Sequence, residues 1–135
     1  MLRLLMMLSD GPCQDQDPGL ASPSSADLEL AIARAVRRVE SDPVLASISI
    51  QIVKKVYAGD ALNASVKLLR TLEDEAKNGG IDAVIGPACS RACESTAVLT
   101  GARNLPQISF GCQSTTLSSK DQYPTVCAAM SVADG

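Results

Sequence analysis

The sequence predicts an α/β fold in three layers, a mainly parallel sheet covered by helices on both faces. Apolar runs of strand length alternate with stretches of helical periodicity along most of the chain. The intervals between successive strands are long enough to hold the helical crossover that parallel neighbours require. The size suits one domain of this kind. The 135 residues include 46% hydrophobic and 20% charged residues, enough apolar surface for a packed core.

The first element is the run around Leu4 to Leu8, read as a β-strand because the turn Ser9-Asp10-Gly11-Pro12 follows it. A secretory signal needs a longer apolar region and a small-residue cleavage site, and no stretch approaches the ~20 apolar residues of a spanning helix. Asp10 to Ser25, rich in Gly, Pro, Ser and Asp, reads as a polar loop. Residues 1–25 thus read as a first strand plus loop, and 26–135 hold the body of the domain.

Helical periodicity begins with Leu28, Ile32, Ala35, Val36 and Val39, capped by Ser24, Ser25 or Asp27 and ended by Ser41-Asp42-Pro43. Ile48, Ile50 and Ile52 alternate with Ser49 and Gln51 as a strand that extends toward Tyr57. Asn63 is the expected cap of a second helix through Val66, Leu69, Leu72 and Ala76, which Asn78-Gly79-Gly80 stops. Ile81 to Ile85 is a short apolar run suited to a buried parallel strand. Gly86-Pro87-Ala88-Cys89 breaks it, and a third helix runs from Ser90 to about Ala102. Gln107 to Phe110 and Thr125 to Met130 are the last two strands, and no internal repeat is present. The expected core includes Ile32, Val36, Ile50, Ile52, Leu69, Val84, Ile85, Leu99 and Ile108.

Composition excludes several chemistries. Without histidine there is no Ser-His-Asp triad, no Cys-His dyad and no His-containing zinc site. A net charge of -3, one Phe, two Tyr and no Trp argue against a nucleic-acid partner. Small-molecule or anion binding and thiol chemistry remain.

In open α/β sheets, ligands sit outside the carboxyl ends of the strands. Gly86 to Ser90 and Gly111 to Ser114 fall there. Gly86 and Ala88 leave backbone uncovered, and the N–H groups that open the third helix favour a carboxylate, phosphate or halide. Ser90 as a simple helix cap is the competing reading. The absence of Gly-Lys-Ser/Thr excludes a P-loop.

Three segments carry a family resemblance: Gly-Pro-Ala-Cys-Ser-Arg-Ala-Cys-Glu, Asn-Leu-Pro-Gln-Ile-Ser-Phe-Gly and Thr-Leu-Ser-Ser-Lys-Asp-Gln-Tyr-Pro-Thr. Together they resemble the receptor ligand-binding region found in metabotropic glutamate, γ-aminobutyric acid type B and natriuretic peptide receptors. Over about Ala26 to Asp134, the chain is similar to much of the first lobe of a two-lobed domain of type I periplasmic binding protein architecture. The resemblance implies a Rossmann-like lobe, an extracellular location as part of a membrane receptor, and a ligand held between lobes. It also implies homo-oligomerisation through the lobe, and membrane contact only through other parts of a full-length receptor. Ser90 matches the serine that holds an amino-acid ligand's carboxylate. Gly111 and Gln113 stand where such members place Ser or Thr, so Gln113 departs from the amino-acid pattern. Ala88 and Cys89 match backbone positions that bind chloride in natriuretic peptide receptors, making chloride the one implied bound ion.

Five cysteines and a sequon complete the candidates. Cys89 and Cys112 follow strands expected to be neighbours, within disulfide reach at a ~4.8 Å strand spacing. The resemblance to natriuretic peptide receptors implies instead that the cysteine at position 89 pairs with one upstream of this strand, and here only Cys13 is upstream. Cys93 and Cys127 read as buried free thiols, and no metal site is expected. Asn63-Ala64-Ser65 is an N-glycosylation sequon. The expected function is an extracellular sensory binding module and not an enzyme. The alternatives are a soluble solute-binding fragment, a dimerisation remnant, and an enzyme using Cys89 as nucleophile.

Overall fold

A computed structural model describes residues 1–10, 25–58, 60–109, 112 and 119–128. The elements run β1 (Leu2–Asp10), α1 (Ser25–Ser41), β2 (Ile50–Ala58), α2 (Ala61–Glu75), β3 (Ala83–Ile85), α3 (Ser90–Ala102), β4 (Gln107–Ser109) and β5 (Val126–Ala128). The order matches the alternation read from the sequence. All five strands are parallel and lie in the order β2-β1-β3-β4-β5. This is the expected α/β Rossmann-like arrangement.

The apolar run near the start of the chain takes a place inside the sheet. β1 pairs with β2 over nine residues, Leu2 with Ile50 through Asp10 with Ala58, and with β3 from Leu4–Ala83 to Met6–Ile85. A strand covered on both faces is apolar at successive positions, and Leu5, Met6, Met7 and Leu8 are all buried. Leu5 and Met7 pack with Val84, Tyr57, Ala64, Leu68 and Ala92 beneath α2 and α3.

Arg3 closes the amino end of the sheet. Its backbone N–H donates to Asp82 Oδ2 at 2.7 Å, Nε to Gln51 Oε1 at 3.1 Å, and Nη1 to the Gly80 carbonyl at 2.7 Å. Nη2 donates to Glu75 Oε2 at 2.5 Å, and this bond holds the Glu75 carboxyl below its ordinary pKa. One guanidinium thereby joins β1 to β2, to the end of α2 and to the entry of β3. A charge so covered is tolerated because its donors are matched by acceptors.

Two expectations are corrected. Asp60 caps α2, its carboxylate accepting from the Asn63 N–H at 2.7 Å, so Asn63 stands inside the first turn. Asp60 and Asn63 both favour caps, and spacing alone did not separate them. Ile108 is 41% exposed and lies outside the core. Strand alternation turns Gln107 and Ser109, both buried, toward α3 and leaves Ile108 on the opposite face. Val84 and Ile85 are buried as expected, whereas Ile32, Val36, Ile50, Ile52, Leu69 and Leu99 are half-buried.

Candidate functional site

Parallel strands send all their carboxyl ends to one side, and α3 begins there. Gly86 leaves β3 with φ 93, a left-handed conformation open to glycine at little cost, and the Gly86–Pro87 peptide is cis. The Gly86 N–H donates to the Ile108 carbonyl at 2.8 Å, fixing this segment against β4. Residues 86–89 are buried, and Ser90, half-buried, is the first residue of α3. Cys89 occupies the N-cap position with extended backbone and no side-chain bond into the helix. Ser90 therefore does not cap α3. Its hydroxyl stands in the first turn, beside the amide end of the helix dipole.

The register brings two residues here that the sequence reading did not single out. Ser9 of β1 pairs with Tyr57 of β2, at the carboxyl ends of both strands. Tyr57 is 1% exposed, and among the described residues no group makes a well-formed hydrogen bond to its hydroxyl. The hydroxyl lies toward the Cys89 backbone and the Ser9 side chain, and burial pushes its pKa up to about 12. The available signal was an aromatic residue at the end of a strand in a parallel sheet.

On the other side of the α3 start, Cys93 is joined to Cys112 by a disulfide, with Cα atoms 6.4 Å apart. The expected Cys89–Cys112 pairing is thus replaced, and Cys93 is not a free thiol. The reason is direction. Cys93 lies one turn into α3 on its buried face, in an apolar cluster with Ala97, Cys112, Tyr123 and Val126. Cys89 belongs to the other cluster, under β1 and α2, and is itself disulfide-bonded. The Pro87 carbonyl oxygen lies 2.8 Å from Cys93 Sγ and 2.9 Å from Cys112 Sγ. The Ser109 hydroxyl accepts from the Cys112 N–H at 3.3 Å. These contacts pin Cys112 to the start of α3.

Of the expected site residues, Ala88, Cys89 and Ser90 come together at one end of α3. Gly111, Gln113 and Cys13 lie outside the described residues, as does the side chain of Cys127. Among the described residues there is no cluster of three metal-ligating side chains, and no helix is long and apolar enough to cross a membrane. The arrangement places backbone amides and the Ser90 hydroxyl together at the amide end of α3, with the Tyr57 phenol buried beneath them. No curated protein matches this chain. A family model does, the receptor family ligand binding region, over residues 27–133. That span runs from the first turn of α1 past β5 and includes the whole turn from β3 into α3, so the chain belongs to the receptor family ligand-binding region.

Proposed function

We propose that this chain is the first-lobe part of an extracellular sensory domain, which holds a small amino-acid-like or anionic ligand against the start of α3. The observation that carries the reading is the meeting of three strand ends, at Ser9, Tyr57 and Gly86, on the N-terminal turn that Ser90 opens. The ligand's carboxylate, or a chloride ion, would accept from the first-turn amides and the Ser90 hydroxyl. A second lobe would cover the rest of the ligand, and a membrane receptor would be the setting. Binding without catalysis is supported by the state of Cys89. A cysteine held in a disulfide has no thiolate to act as a nucleophile.

Magnitudes set what one lobe can do. A hydrogen bond contributes a net ~1 kcal/mol and a helix end ~0.3–1 kcal/mol, so two or three such terms, set against the entropy of association, give roughly millimolar affinity or weaker. Titrating the ¹⁵N-labelled chain with glycine, acetate and chloride tests the site. The expected result is saturable amide shifts confined to Ser90 to Cys93, lost in Ser90→Ala with the rest of the spectrum unchanged. Wild-type amides that do not move with any of the three probes would refute binding at α3.

A further inference from the structure

A second feature lies on the flank of the lobe. The end of β2, residues 56–58, and the α2 residues Asn63, Val66, Lys67 and Arg70 line a groove of about 220 Å³. This is smaller than the ~300–1,000 Å³ pockets that enclose ligands. Its floor is a strand edge, since β2 is the outermost strand of the described sheet. An edge presents unpaired N–H and C=O groups, and proteins commonly blunt it with lysines or cover it. Lys54 and Lys55 serve that purpose in the middle of β2, but no charged residue follows through Ala58. Val56 and Val66 add partly exposed apolar surface.

We propose that Asn63 carries an N-linked glycan whose first sugars roof this groove and cover the end of the β2 edge. Asn63 heads the sequon Asn63-Ala64-Ser65, is exposed, and is itself a wall of the groove. Its Nδ2 donates to Asp60 Oδ2 at 2.8 Å, which occupies one of two amide hydrogens and leaves the other for substitution. A sugar ring matches the surroundings. It has an apolar face for Val66, and hydroxyl and N-acetyl oxygens to accept from Lys67 and Arg70. Neither cation has a carboxylate partner among the described residues.

In the transfer, Asn63 Nδ2 bonds to the anomeric carbon of a polyprenyl-diphosphate oligosaccharide. The bond from that carbon to the diphosphate breaks, the lipid diphosphate leaves with the electron pair, and the amide loses one proton. In the folded chain the Ser65 hydroxyl donates to the Ala61 carbonyl at 2.9 Å and lies 3.0 Å from Ser95 Oγ. The acceptor is therefore read before α2 closes against α3.

The proposal rests on the extracellular reading, and the test separates the two. The full chain is sent to the secretory lumen of a eukaryotic cell behind an added leader and analysed by mass spectrometry. The expected result is one glycan at Asn63, released by peptide N-glycosidase, absent from Asn63→Gln and Ser65→Ala, and retained in Ser65→Thr. Lys67 should then acetylate several-fold more slowly in the glycosylated chain than in either unglycosylated variant, with Lys120 unchanged. Using two variants keeps the comparison valid if one misfolds. A lumenal chain without the glycan overturns the acceptor site, and equal Lys67 labelling overturns the roof. A glycan present on the leader-directed chain but absent from the chain in its native cell counts against the extracellular location instead.

Discussion

With Phe in place of Tyr57, the lobe should be more stable. A buried hydroxyl without a partner costs about 1–3 kcal/mol, and removing it leaves the ring packed against Ala64 and Leu68. Urea unfolding at pH 7 should show a gain of about 1 kcal/mol for Tyr57→Phe, and an equal loss would mean that the hydroxyl is satisfied. The alkaline limb of stability gives a second reading of the same residue. Its pKa rises from 10.0 to about 12 in the fold, so the folded state holds the proton longer than the unfolded one. The stability this contributes is complete below pH 10 and is lost as pH rises toward 12, roughly 2–3 kcal/mol in all. That segment of the pH profile should vanish in Tyr57→Phe. If Tyr57→Phe also weakens the amide shifts that glycine or acetate induces at Ser90 to Cys93, the hydroxyl faces the ligand. Residue identity alone could not show this, because Tyr57 joins Ser9 only through a register that links positions 48 residues apart.

At the scale of elements, α3 was the most legible. Gly86-Pro87 before it and Asn104-Leu105-Pro106 after it leave the chain few other places to start or stop a helix, and its observed bounds coincide with those read. What α3 packs against was not legible. Gln107 looked like an ordinary polar strand residue, yet it is fully buried. Its Nε2 donates to Thr96 Oγ1 at 3.1 Å, and its Oε1 accepts from Thr100 Oγ1 at 2.9 Å. A glutamine reads as wet until both its amide atoms are known to have partners. These bonds lock α3 to β4 and fix the height of the Ser90 turn above the sheet. Gln107→Ala leaves a void and removes both bonds across to α3, although each threonine hydroxyl keeps a helix carbonyl as acceptor, and it should cost about 2–4 kcal/mol in urea unfolding. A cost below about 1 kcal/mol would show that water replaces the amide. The Cys93–Cys112 bridge was missed for a similar reason, since spacing places cysteines on strands but not on the faces of the helix between them.

For the whole molecule, the layering was legible and the even coverage of the sheet was not. α2 and α3 pack together on one face, whereas most of α1 is exposed or half-buried over the other. On that second face Ile108 remains open, and Leu30 and Val98 add apolar surface elsewhere. Surfaces of this kind favour association. Sedimentation of the unglycosylated chain should show a concentration-dependent dimer or larger species, and a monomer throughout would count against oligomerisation through the lobe. The place of β1 between β2 and β3 also has a bearing on synthesis. Leu2–Asp10 emerges before its partners Ile50–Ala58 and Ala83–Ile85, which are made much later. At ~5–20 residues per second, the run Leu4-Leu5-Met6-Met7-Leu8 waits seconds without a neighbour. During that interval it is an apolar strand with two open edges, the form in which a nascent chain is most readily bound by a chaperone or lost to aggregation.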